Sequence, residues 1–120
     1  MRTINLERKF AAFSEHWRPK LVAELNGQEV KLVKIQGEFP WHSHADADEL
    51  FLCLKGRFRM ELRDGVHPVE AGEMFVVPRG VEHRPVADEE AEILLFEPAG
   101  VANTGEVRDE RFTAPDGVRI

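Results

Sequence analysis

Cysteine occurs once in the 120 residues, as Cys53, and tyrosine does not occur at all. A single cysteine excludes an intramolecular disulfide and a cysteine-only zinc site. Long apolar runs are also missing: none approaches the roughly 20 residues that a bilayer-spanning helix needs. Basic charge is in deficit, with 16 Lys and Arg against 22 Asp and Glu and a formal net charge of −6. Such a chain has no electrostatic footprint for nucleic acid. The first ten residues, MRTINLERKF, carry charge where a signal peptide needs an apolar stretch, so no export and a cytoplasmic location are expected. What remains is 42% hydrophobic and 32% charged, the balance of a single globular domain rather than a disordered or membrane chain.

Periodicity divides the chain in three. Over residues 1–19, Leu6, Phe10, Phe13 and Trp17 recur at helical spacing, with Asn5 as a candidate N-cap and Pro19 as a stop. Over residues 20–97 the period is that of strands. Asn26-Gly27 marks a hairpin, because both residues tolerate positive φ. Turn signals follow at Lys55-Gly56, Asp64-Gly65, Ala71-Gly72, Pro78-Arg79-Gly80 and Asp88-Glu89-Glu90. Short strands between evenly spaced turns point to an all-β sandwich or barrel. Residues 98–120 are polar with scattered Gly and Pro, and read as an extended tail.

Arg57, Arg59, Glu61 and Arg63 alternate with Phe58, Met60 and Leu62, so that strand has one wet and one dry face. Leu50–Leu54, Met74–Val77 and Ile93–Phe96 are apolar at consecutive positions, which calls for cover on both faces.

The residues with chemistry fall in one pattern. His42 and His44 lie two apart, so in extended chain both rings point to one side. Glu49 opens the next strand, and His83 follows the Pro78-Arg79-Gly80 turn. Three imidazoles and a carboxylate form a mixed N/O set for a divalent first-row metal. The framing is regular: Gly37, four residues, His42-Ser43-His44, four residues, Glu49, six residues, Gly56; then Gly72, five residues, Pro78-Arg79-Gly80, two residues, His83.

These two strings resemble the paired motifs of the cupin superfamily, over Gly37 to about Val86. They depart from it in two places: four rather than five residues precede His42, and Ala87 stands where asparagine is frequent. The resemblance implies a small jelly-roll-like β-barrel, here a single-domain one with a short N-terminal helix and an extended C-terminal tail. It also implies metal ligation by His42, His44, Glu49 and His83, with Fe, Mn, Ni, Cu or Zn all compatible. Similar proteins include dioxygenases with this ligand set, and also sugar-binding, isomerising and purely sensing members. Epimerases, thiol dioxygenases and sulfonium lyases of the superfamily lean on a tyrosine, which this chain lacks. The expected activity is a metal-dependent oxidoreductase of dioxygenase type acting on a small organic molecule, with Glu49 doubling as the candidate base. The alternative is a non-catalytic module or sensor that binds a small ligand through the same metal.

Among other candidates, His16 and His67 read as solvated, and Cys53 as an inert core residue. Asp46 and Asp48 flank Glu49 but fall outside the pattern. Arg79 and Arg84 flank His83 and are candidates to face an anionic substrate. Phe39, Trp41, Phe51, Phe75 and Phe96 are candidate pocket walls, with core packing the simpler reading of each. With Glu49 facing the metal, alternation sends Leu50, Leu52 and Leu54 to the outer surface. That row predicts a homodimer, unless the helix stripe or the tail covers it in the same chain. A small molecule is the expected partner, with neither nucleic acid nor membrane.

Overall fold

Alternating side chains along eight strands set the architecture among the described residues, which in this computed structural model are 1–105, 109, 111–113 and 118–120. Helix α1 (Leu6–Ala11) precedes β1 (Lys20–Leu25), β2 (Gln28–Glu38), β3 (Glu49–Lys55), β4 (Arg57–Leu62), β5 (Gly65–Glu70), β6 (Met74–Val77), β7 (His83–Pro98) and β8 (Val118–Arg119). The strand order is β5-β4-β7-β2-β1-β8, with β3 pairing both β7 and β6. The result is the all-β cupin-type barrel that the motifs imply.

Asn5 caps α1 as expected, its side chain accepting from the Arg8 N–H at 2.9 Å. The helix is only six residues long, however, and the stripe does not continue to Trp17. Trp17 has φ 63 and donates its backbone N–H to the Lys34 carbonyl at 2.9 Å. That bond turns the chain along β2 and drops the indole into the barrel against Phe39, at 4.7 Å between ring centroids. Leu6, Phe10 and Phe13 stay outside, packed on Val22, Leu32, Leu54 and Leu94.

At the first hairpin Asn26 and Gly27 take φ 51 and 75, the paired left-handed conformation that a two-residue turn requires. The turn expected at Asp88–Glu90 does not form. Those residues lie inside one strand of 16 residues, and their side chains are exposed. Ile35 faces Ala91 while Gly37 faces Ala87, so β7 carries two extra residues there and bends without breaking. Its first half pairs with β4 and its second with β3, while β2 runs along both. One bent strand thereby joins the two sides of the barrel.

The alternation in β3 is as read: Glu49, Phe51 and Cys53 are buried, and Leu50, Leu52 and Leu54 point outward. α1 covers only part of that row, at Leu54. Leu50 and Leu52 pair with Val76 and Met74 of β6, which are 50% and 62% exposed. β6 is therefore not buried on both faces, because among the described residues no element lies over its outer side. Beyond Pro98 the chain does more than extend. Phe112 packs on Trp17 and Phe39, and β8 adds a parallel strand to β1. Positions 106–108, 110 and 114–117 of the expected tail lie outside the described residues.

Candidate metal centre

His83 opens β7 on its inner face and is completely buried. The loop carrying His42 is pinned to it by a reciprocal backbone pair, His42 N–H to His83 O at 3.1 Å and His83 N–H to His42 O at 2.9 Å. The His44 carbonyl accepts from the Gly80 N–H at 2.8 Å, which ties the same loop to the turn ahead of β7. Glu49 enters from the first inward position of β3. All four side chains are buried, and one donor atom from each lies within 4.8 Å of the others.

The orientation of the rings follows from their backbone partners. His42 Nδ1 lies 2.9 Å from the Pro40 carbonyl and His83 Nδ1 2.9 Å from the Val81 carbonyl. A carbonyl only accepts, so each Nδ1 carries the proton and each Nε2 presents its lone pair. Glu49 Oε1 sits 3.3 Å from His44 Nε2 and 3.5 Å from His83 Nε2. Burial and the neighbouring His83 push the His42 imidazole down to about 4, so it is neutral near pH 7. Burial acts to raise the Glu49 carboxyl, but the adjacent Glu97, His44 and His83 outweigh it and hold the group well below the usual carboxylate range.

Both ring nitrogens of His44, Nε2 of His83 and Oε1 of Glu49 are buried without a hydrogen-bond partner. Each such orphan costs about 1–3 kcal/mol. A divalent cation among them would satisfy one nitrogen of His44, Nε2 of His83 and Oε1 of Glu49 together, and carbonyl bonds to the far nitrogens of two rings are the usual support of metal-bound histidine. The residues present therefore fit a divalent transition metal.

A second buried polar cluster adjoins the first. Lys31 Nζ stands 3.3 Å from Glu29 Oε1 and 3.3 Å from Glu97 Oε1, all inside the barrel. Burial, then the hydrogen bond and charge of Glu49, push the Glu97 carboxyl up to about 10, against the pull of Lys31. Glu97 is thus neutral near pH 7 and shares a hydrogen bond with the Glu49 carboxylate. Sequence reading missed it, although a signal was there: Glu97 continues the inward series of Ile93 and Leu95 at a period of two. Gly105 was also missed. A Cβ there would lie 2.1 Å from the Ser43 carbonyl oxygen and 3.5 Å from His44 Nδ1, so only glycine fits beneath this loop.

Beside Glu49 and His42 lies a cavity of about 40 Å³ walled by Trp17, Val33, Ile35, Phe39, Phe51, Pro85, Ile93 and Leu95, with Asn103 and Pro19 at its rim. Of the expected aromatic walls, Phe39 and Phe51 are here. Trp41 instead lies under the guanidinium of Arg63, 3.9 Å from the ring centroid, and Phe75 stacks near His67. The arginines point elsewhere. Arg79 binds Asp48 through its backbone N–H at 2.8 Å and its Nε at 3.3 Å. Arg84 pairs with Glu38 and Glu61, each at 2.8 Å. His16 is bound to Glu90 at 2.7 Å. Cys53 is fully buried, its thiol pushed up by burial.

Comparison with known proteins agrees with this geometry. The family described as cupin domain matches residues 26–97. A crystal structure of a cupin-2 domain protein from Shewanella frigidimarina is 48% identical, with a TM-score of 0.78 over 79% of this chain and 93% of that one. A Neisseria meningitidis protein is 33% identical, with a TM-score of 0.75 over 82% of this chain and all of that one. An uncharacterized Bacillus subtilis protein, YdbB, is 36% identical over 64 residues, which is 52% of this chain and 57% of that protein.

Proposed function

The chain belongs to the cupin-domain family, and from that premise we propose that it is a metal-dependent oxidoreductase of dioxygenase type acting on a small organic molecule. The observation that carries the reading is the convergence of four buried ligating side chains, three of them with donor atoms unpartnered within the fold, at the edge of an apolar cavity. A redox-active metal held there would supply Lewis acidity and an electron-transfer couple. The chain's own residues supply the rest. His42, His44 and His83 offer neutral nitrogens fixed in direction, and Glu49 offers a carboxylate that stays ionised and serves as the candidate base. The apolar walls keep bulk water from the reacting end of the substrate.

The test is metal content in protein purified without chelator, followed by oxygen uptake on presentation of candidate substrates. Stoichiometric iron, manganese, copper or nickel with substrate-dependent oxygen uptake supports the reading. Zinc with no uptake turns the assignment to the ligand-binding module. The half-covered outer row of Leu50, Leu52, Met74 and Val76 supports a further part of the proposal, a homodimer paired through this sheet. Sedimentation equilibrium at micromolar concentration decides it: twice 13.7 kDa supports the dimer, and the monomer mass refutes it.

A further inference from the structure

We infer that the ligand of this centre is a short molecule with one polar end and an uncharged, hydroxyl-free body. The inference rests on the metal reading above, since the polar end is the part that meets the metal.

The argument starts from the cavity wall. Trp17, Val33, Ile35, Phe51, Ile93 and Leu95 present only carbon to the space beside Glu49 and His42. The indole N–H of Trp17 is already given to the Gln36 carbonyl at 3.0 Å. The amide of Asn103 at the rim donates to the Phe112 carbonyl at 2.7 Å. A hydroxyl or charge buried against such a wall loses its water and finds no partner, which weakens binding. Methylenes in the same place strengthen it.

Charge placement points the same way. Arg79 and Arg84, the cations nearest His83 in sequence, are committed to carboxylates outside the cavity. Lys31 is buried among Glu29 and Glu97 and does not line the cavity. Among the described residues the wall therefore has no cation to receive a phosphate or a second carboxylate. Volume limits what the cavity encloses. About 40 Å³ is well below the roughly 150 Å³ that admits a benzene ring, so the enclosed part of the body is a short chain rather than a ring. Sugars, sugar phosphates and dicarboxylates are excluded on these grounds, and short monofunctional aliphatic compounds fit.

The test holds the polar end constant and varies the body. Protein loaded with diamagnetic zinc is titrated with butanoate, succinate, 2,3,4-trihydroxybutanoate and benzoate, reading methyl chemical shifts of Val33, Ile35, Ile93 and Leu95. Butanoate should shift these methyls and bind at least tenfold more tightly than the other three. Equal or tighter binding of succinate, trihydroxybutanoate or benzoate overturns the inference, as does butanoate binding that leaves these methyls unmoved. A second arm uses metal-free protein with 1-butanol against butane-1,2,3,4-tetrol. Selective shifts with butanol uphold the apolar body even if zinc fails to bind, a failure that falls on the metal reading alone. Selection of the tetrol, or of neither, overturns the inference.

Discussion

Two buried polar clusters share the inside of the barrel and touch at Glu49. In one, Glu29 and Glu97 close around the ammonium of Lys31, so the chain supplies its own cation. In the other, His42, His44, Glu49 and His83 converge with several donor atoms that meet no partner. The difference lies in what completes each cluster. A lysine side chain supplies the cation of the first, where Glu29 Oε1 and Glu97 Oε2 nonetheless lack a hydrogen-bond partner, whereas the second would take its cation from solution. Glu97 stands between them: neutral itself, it shares a hydrogen bond with ionised Glu49.

Removing the internal cation should have the largest effect. Lys31→Met keeps the length of the side chain but leaves Glu29 buried without its partner. Breaking a buried pair from one side costs about 3–5 kcal/mol, so the urea midpoint should fall accordingly, with or without added metal. A change below about 1 kcal/mol would show that the cluster is solvated or readily neutralised.

The second cluster should respond in the opposite manner. His44→Ala removes a donor from a group that is incomplete on its own, so the metal-free stability should change little. Metal content should fall from near one per chain to a small fraction. The stabilisation that metal gives the wild type, about 2.7 kcal/mol at a hundredfold excess over Kd, should vanish in thermal melts. Full occupancy in the variant would remove His44 from the ligand set.

These two clusters were not equally legible. His42, His44, Glu49 and His83 could be read because glycine and proline at fixed offsets frame them, and because few residue types ligate metals. Glu29, Lys31 and Glu97 could not, since charged residues at alternate strand positions look the same whether they face solvent or a closed barrel. Only the apolar neighbours at a period of two, Val33 and Ile35 or Ile93 and Leu95, tell the faces apart. The Asn26-Gly27 hairpin was legible from local backbone preference. The unbroken β7 was not, because Asp88–Glu90 is as polar as a turn while its flanking backbone is held by long-range pairing to β2. Trp17 left the helical stripe for the same reason: a bond to Lys34 outweighed local periodicity.

Gly105 adds a dependence that only the open cluster has. The loop bearing His42 and His44 is supported from below by a residue far along the chain, whereas Lys31 and Glu97 sit on paired strands. Gly105→Ala places a methyl against the Ser43 carbonyl at a position with φ +61. The backbone strain costs about 1–3 kcal/mol, and the displaced loop should weaken metal affinity tenfold or more. The Lys31 cluster should be untouched, with backbone amide shifts of β2 and the second half of β7 unchanged. Wild-type metal affinity in this variant would show that the loop holds its geometry without the tail.

A third group of charges, on the outer face of the barrel, gives the comparison its lower end. Glu61 accepts from Arg59 Nε at 3.0 Å and from Arg84 Nε at 2.8 Å. Those hydrogen bonds, Arg59 first and Arg84 next, lower its carboxyl from the ordinary value. A depressed carboxyl stabilises the fold above the unfolded-state value near 4.3 and loses that contribution as pH falls through the folded value. Solvent reaches this network, so the contribution is about 0.2–1 kcal/mol. Glu61→Gln should therefore cost no more than that at pH 7, and less at pH 2, further down the acid side over which the charge contribution is lost. Urea midpoints of the two proteins at both pH values measure it. A deficit of equal size at both would assign the loss to packing rather than to charge.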